Sequence, residues 1–115
     1  MDQFCFGVDL GGTTVKIGLF TVDGMLQEKW EIPTRTENQG AAILSDIAAS
    51  IQNKVDVRHL TKEQVTGIGI GVPGPVLNEN IVQGCVNLGW GNVRVADELS
   101  ALTGLKVKAA NDANV

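Results

Sequence analysis

Phe4-Cys5-Phe6-Gly7-Val8-Asp9-Leu10-Gly11-Gly12-Thr13-Thr14-Val15-Lys16-Ile17-Gly18-Leu19-Phe20 is the stretch on which the reading of this chain turns. Two short apolar runs, Phe4 to Asp9 and Val15 to Phe20, flank Gly11-Gly12-Thr13-Thr14, the pattern of a strand, a tight turn and a second strand. Each residue type in the turn has a chemical use. Glycines without a Cβ let backbone N–H groups face an anion at close range, threonine hydroxyls donate to phosphate oxygens, and a carboxylate such as Asp9 at the strand end can hold Mg2+, usually through water. Asp9, Gly11, Gly12, Thr13 and Thr14 are therefore candidates for a phosphate cradle. No Gly-Lys-Ser/Thr follows, so this is not a Walker loop, and a strand rather than a helix comes next, so it is not a dinucleotide fingerprint. Taken alone, the turn serves equally to close a hairpin. Lys16 is expected to be solvated.

Outward from this hairpin, Asp23-Gly24 supplies another turn, and Met25 to Ile32 places Leu26, Glu28, Trp30 and Ile32 on one side and Gln27, Lys29 and Glu31 on the other. Three antiparallel strands are expected. Thr36-Glu37-Asn38-Gln39 has capping-box spacing, and Ile43, Ile47 and Ile51 then recur every four residues, which predicts an amphipathic helix from about Gln39 to Asn53. Val65 to Val72 reads as a buried strand whose glycine-bearing face is closely approached, and Pro73-Gly74-Pro75 ends it. The chain then reads as turn-rich to Gly91. Val95, Leu99 and Leu102 mark a second helix that Gly104 stops, and Val107 to Ala110 is a last strand. The order β-β-β-α-β-α-β predicts an α/β fold with a mixed sheet: the first three strands antiparallel, the later ones parallel to the first.

Composition narrows the function. With 115 residues and 43% apolar content, the chain suits one core rather than two lobes. Thirteen acidic and nine scattered basic residues, net charge -4, argue against nucleic acid or an anionic membrane as partner. No apolar run has membrane-spanning length, and the first strand is too short for a signal peptide's apolar core, so a cytoplasmic address is expected. Cys5 and Cys85 lack CxxC spacing and read as apolar-like thiols. His59 has no carboxylate or cysteine at ligand spacing and is assigned no role.

Two further motifs carry chemistry. Ala110-Asn111-Asp112-Ala113-Asn114 follows an apolar strand, so an amide and a carboxylate leave a strand end, where open sheets usually bind ligands. A carboxylate there can accept a hydroxyl proton as phosphoryl transfer begins, and the amide can fix the same substrate; a helix cap is the other use of Asn-Asp. Gly69 to Pro75 leads a glycine-spaced strand into a rigid turn that exposes backbone polar groups to a polyhydroxylated ligand. Asn87-Leu88-Gly89-Trp90 adds an amide and an indole, and Trp90 is more often a core anchor than a sugar-stacking ring.

Together, Gly7 to Lys16, Gly69 to Pro75, Asn87-Leu88-Gly89-Trp90 and Asn111-Asp112-Ala113-Asn114 resemble the ROK family of bacterial sugar kinases, in family order and across nearly the whole chain. Thr13-Thr14 and Asn-Leu-Gly-Trp look most like its glucokinase branch. The resemblance implies the actin-like, ribonuclease-H-like ATPase fold, with residues 1–115 as the N-terminal lobe of a two-lobed kinase whose second lobe lies outside this chain. It implies Asp112 as catalytic base, Asn111 and Gly74 as sugar-binding residues, and Asp9, Gly11, Gly12, Thr13 and Thr14 as the ATP-phosphate and Mg2+ region. The implied reaction is phosphorylation of a hexose by ATP, glucose to glucose 6-phosphate first. Another hexose or amino sugar, or a sugar-sensing transcriptional regulator, are the alternatives. The family's cysteine-rich zinc motif is expected downstream of Val115, and 1–115 alone is expected to be inactive and prone to self-association. Many members carry Lys where Thr14 stands, which blurs the phosphate contacts.

Overall fold

The computed structural model describes residues 3–111. Asp112 therefore lies outside the described residues. In chain order the elements are β1 (Phe4–Leu10), β2 (Thr14–Thr21), β3 (Leu26–Pro33), a single turn α1 (Glu37–Gly40), α2 (Ile43–Val57), β4 (Val65–Val72), β5 (Val76–Leu77), β6 (Ile81–Cys85), β7 (Trp90–Arg94), α3 (Val95–Thr103) and β8 (Val107–Asn111). Strands β3-β2-β1-β4-β8 form one sheet in that order, antiparallel across the first three and parallel from β1 through β4 to β8. This is the mixed α/β sheet expected from the strand order.

Alternation divides the sheet into two unlike faces. Phe6, Val8 and Leu10 of β1, Ile17 and Leu19 of β2, and Ile68, Ile70 and Val72 of β4 point one way and share a single core with Ile43, Ile47, Ile51, Val95 and Leu99 of the two helices. The other face carries Gly7, Gly18, Gly69 and Ala110, which with Phe20 line an open cavity of about 500 Å³. The close approach expected over the glycines of β4 holds only in part. A methyl group on Gly67 would stand 2.8 Å from Lys106 O, whereas one on Gly69 would meet no atom of the described residues within 4 Å.

Two local expectations are corrected. The helix begins at Ile43, not Gln39, and runs to Val57. Thr36 makes no side-chain cap, and Asn38, Gln39 and Gly40 instead take positive φ values of 54°, 59° and 69°. Gly40 explains this: a Cβ there would lie 2.5 Å from Leu88 O and 2.6 Å from Trp90 Nε1, so the backbone has closed in where no side chain fits. Each fully buried isoleucine of α2 contributes about 1.5–3 kcal/mol, against about 1 kcal/mol for a lost N-cap, so packing outweighs the local cap.

The second correction concerns the turn-rich stretch, which contains an antiparallel sheet, β5-β6-β7. Its hairpin turn puts both Asn78 and Glu79 at positive φ, and Glu79 stands where glycine is usual, so the turn signal is weak in the sequence. Glu79 O accepts from Ala109 N (2.7 Å), tying this hairpin to the edge of β8. Asn80 Oδ1 accepts from Asp97 N (2.9 Å) at the first turn of α3. That helix ends, as expected, at Gly104 with φ 73°, while Leu102 faces solvent rather than the core.

Candidate functional site

Because β1, β4 and β8 run parallel, the segments that follow them leave the sheet at the same edge. Register aligns them: Asp9 pairs with Gly71, Gly71 with Ala110, and Val72 with Asn111. Asp9 thus stands two strand spacings, about 10 Å, from the strand that leads to Asp112. Asp9 itself is exposed, cross-strand from Lys16, which is solvated as expected.

The first component is the β1–β2 turn. Gly11 N donates to Thr14 O (3.1 Å), and a methyl group on Gly11 would lie 2.8 Å from that oxygen, so this tight closure needs a glycine. Thr34 braces the turn twice: its N donates to Thr13 O (2.9 Å) and its Oγ1 to Gly11 O (2.8 Å). Gly12 and Thr13 are left exposed at the tip. Nothing in the sequence near Thr34 announced this brace.

The second component is the Pro73-Gly74-Pro75 corner. Gly74 is buried, with Gly84 O 3.0 Å from the position of a Cβ. Asn111 Nδ2 donates to Gly74 O (2.8 Å), the Cys85 thiol to Pro73 O (3.4 Å), and Gln83 N to Pro75 O (2.9 Å). A cavity of about 560 Å³ opens beside it, lined by Pro75, Val76, Glu79, Ala109, Ala110 and Asn111. Gly74 and Asn111, two candidates 37 residues apart, are thereby brought into direct contact. Cys85, read from sequence as a bland thiol, is a clamp of this corner.

The third component is Asn87-Leu88-Gly89-Trp90. Trp90 is a core anchor rather than a free stacking platform: it is buried, and its Nε1 donates to Gly40 O (3.3 Å). Leu88 is fully buried, and Asn87 lies exposed against Gly12.

For Mg2+ the residues present fit. One exposed carboxylate, Asp9, stands beside a glycine turn, and Mg2+ is commonly held by one or two carboxylates together with substrate phosphates and water. Among the described residues there is no cluster of three or more His, Cys, Asp or Glu able to form an all-protein cage. Nor is any described helix long and apolar enough to cross a membrane.

A 3-2-1-4-8 sheet with helices after its third and fourth main strands, and a glycine turn between its first two, is the arrangement of the actin-like ATPase fold. Residues 5–115 match the ROK family, and the chain belongs to it. It is 37% identical over 115 residues to a glucokinase of Halalkalibacterium halodurans, covering 99% of this chain and 35% of that protein. Its structure resembles a ROK family glucokinase from Streptomyces griseus in complex with glucose and AMPPNP (TM-score 0.81, 27% identity, 96% of this chain and 34% of that one). The fold alone is shared with a ROK family transcriptional regulator, a homologue of the Escherichia coli MLC protein, at TM-score 0.81, 24% identity, and 96% and 28% coverage. The chain spans about a third of the length of the two glucokinases.

Proposed function

We propose that this chain is the N-terminal lobe of a two-lobed, ATP-dependent sugar kinase, and that the full-length enzyme transfers the γ-phosphoryl group of ATP to a hexose, glucose first. The observation that carries this reading is the Asn111–Gly74 hydrogen bond, which sets the residue before Asp112 on the candidate sugar corner. The cradle for phosphate lies at the same sheet edge, two strands away.

In this mechanism Asn111 and the Gly74 corner hold the sugar so that its 6-hydroxyl faces the turn at Gly11 to Thr14, where Gly12 and Thr13 meet the phosphates. Asp112 accepts the hydroxyl proton as that oxygen attacks phosphorus, and Asp9 supplies the metal carboxylate. Mg2+, when bound, offsets negative charge on the phosphoryl oxygens. Orientation accounts for roughly 7–11 kcal/mol of such a barrier, so residues 1–115 alone, unable to close over both substrates, are expected to be inactive. ATP as donor places the reaction in the cytoplasm.

The test is a coupled assay on the full-length protein with ATP and a panel of hexoses and amino sugars. Asp112→Asn should lower kcat by at least about 10²-fold while leaving the sugar KM little changed. Undiminished turnover by Asp112→Asn would remove the base assignment. Sequence-specific DNA binding without turnover would favour the regulator.

A further inference from the structure

The mechanism above assigns no chemistry to Asn87-Leu88-Gly89-Trp90, yet this segment lies between the other two components of the site, beside the turn through Asn87 and joined to the corner through the preceding Cys85. It forms a 3-10 turn, Val86–Leu88, closed by Gly89 at φ 74°. Two buried side chains, Leu88 and Trp90, hold it from below. At one end the Cys85 thiol reaches Pro73 O (3.4 Å) at the sugar corner. At the other, a methyl group on Gly12 would stand 3.6 Å from Asn87 Cβ and 3.9 Å from Asn87 O, with no other non-adjacent atom of the described residues within 4 Å. Asn87 is thus the neighbour of the phosphate-turn tip, and its exposed carboxamide engages no described residue.

We propose that Asn87 is a catalytic residue: its Nδ2 donates a hydrogen bond to an equatorial oxygen of the γ-phosphoryl group during transfer. This rests on the function proposed above. Phosphoryl transfer spreads charge over three equatorial oxygens, and a fixed neutral donor stabilises that charge without the repulsion a carboxylate would bring. A carboxamide offers two N–H donors on a short side chain, and buried Cys85 and Leu88, two positions before it and one after, already fix its backbone. The bond from the sugar oxygen to the γ-phosphorus forms, and the bond to the β–γ bridging oxygen breaks with its electron pair leaving on ADP. The hydroxyl proton passes to Asp112. Asn87 gains and loses no proton.

The experiment compares wild type, Asn87→Ala, Asn87→Asp and Asp112→Asn in the full-length enzyme, with kcat and both KM values measured using ATP and glucose. Asn87→Ala should lose about 10²-fold in kcat with its sugar KM within about twofold of wild type. Asn87→Asp should fall further and raise the KM for ATP, because it sets a negative charge beside the phosphates. Since Asn87 is exposed, both variants should melt with the wild type. An Asn87→Ala enzyme with wild-type kcat, or one altered only in sugar KM, overturns the proposal while leaving the kinase reading intact. A wild-type enzyme that phosphorylates no sugar overturns both.

Discussion

The two glycine turns of the site are held by opposite means. The Gly11–Thr14 turn closes on itself across four residues and, among the described residues, takes its distant hydrogen bonds from Thr34. The Gly74 corner makes no such closure: Asn111, Cys85 and Gln83, from two other strands, fasten three consecutive carbonyls. A local turn keeps its shape as long as its own residues are kept. A corner clamped from elsewhere depends on β6 and β8 staying in register, so its geometry is set by tertiary packing.

The largest effect should come from removing what the two have in common. Gly40 receives Leu88 and Trp90, whose segment separates turn from corner. Gly40→Ala forces a side chain into positive φ and onto backbone and indole atoms at 2.5 and 2.6 Å, and should cost about 3 kcal/mol or more. That corresponds to a fall of roughly 12 °C or more in thermal melting. A variant that melts with the wild type would show that the left-handed turn does not buttress the site.

Next come the substitutions that separate the two turns. Gly11→Ala places a methyl group 2.8 Å from Thr14 O and must shift the phosphate turn, so kcat should drop about 10²-fold and the KM for ATP rise. Gly74→Ala meets Gly84 O at 3.0 Å and should instead raise the sugar KM about tenfold, with the KM for ATP unchanged. If steady-state kinetics of the full-length enzyme gave both variants the same profile, turn and corner would not be separate subsites.

The contrast also explains which parts of the molecule could be read in advance. The central sheet was legible because β1, β2 and β4 alternate cleanly and their punctuation is strong: Gly11-Gly12, Asp23-Gly24 and Pro73-Gly74-Pro75. The Gly11–Thr14 turn was legible for the same reason, its closure lying within a few residues. The start of α2 was not, because Thr36-Glu37-Asn38-Gln39 is a sound local cap overridden by Leu88 and Trp90 arriving from 50 residues away. Nor was the β5-β6-β7 sheet, whose turn relies on Glu79 in a conformation that favours glycine or asparagine. Gly74 and Asn111 were singled out as candidates by residue type, but the hydrogen bond between them, and the clamp from Cys85, exist only once β4, β6 and β8 are assembled.

The smallest effect discriminates between the two supports by charge. Arg35 follows Thr34, the brace of the phosphate turn, and its Nε and Nη2 donate to Asp46 Oδ2 and Oδ1, both at 2.7 Å. Hydrogen bonding from Arg35, and secondarily its positive charge, hold the Asp46 carboxyl below the usual carboxylate range, against a partial desolvation that pushes it up. With the folded value depressed, the pair contributes stability above the unfolded carboxyl pKa of about 4 and loses it as pH falls through the lower folded value. Arg35 is half exposed, so the contribution is small and screened by salt. None of the described clamps on the Gly74 corner carries a charge. Acidification from about pH 6 to about pH 3 should therefore lower the hydrogen-exchange protection of Thr34 N–H more than that of Gln83 N–H, and Asp46→Asn should abolish the difference. Equal loss of protection at both amides would mean that turn and corner open as one unit, and the independence of their supports would be wrong.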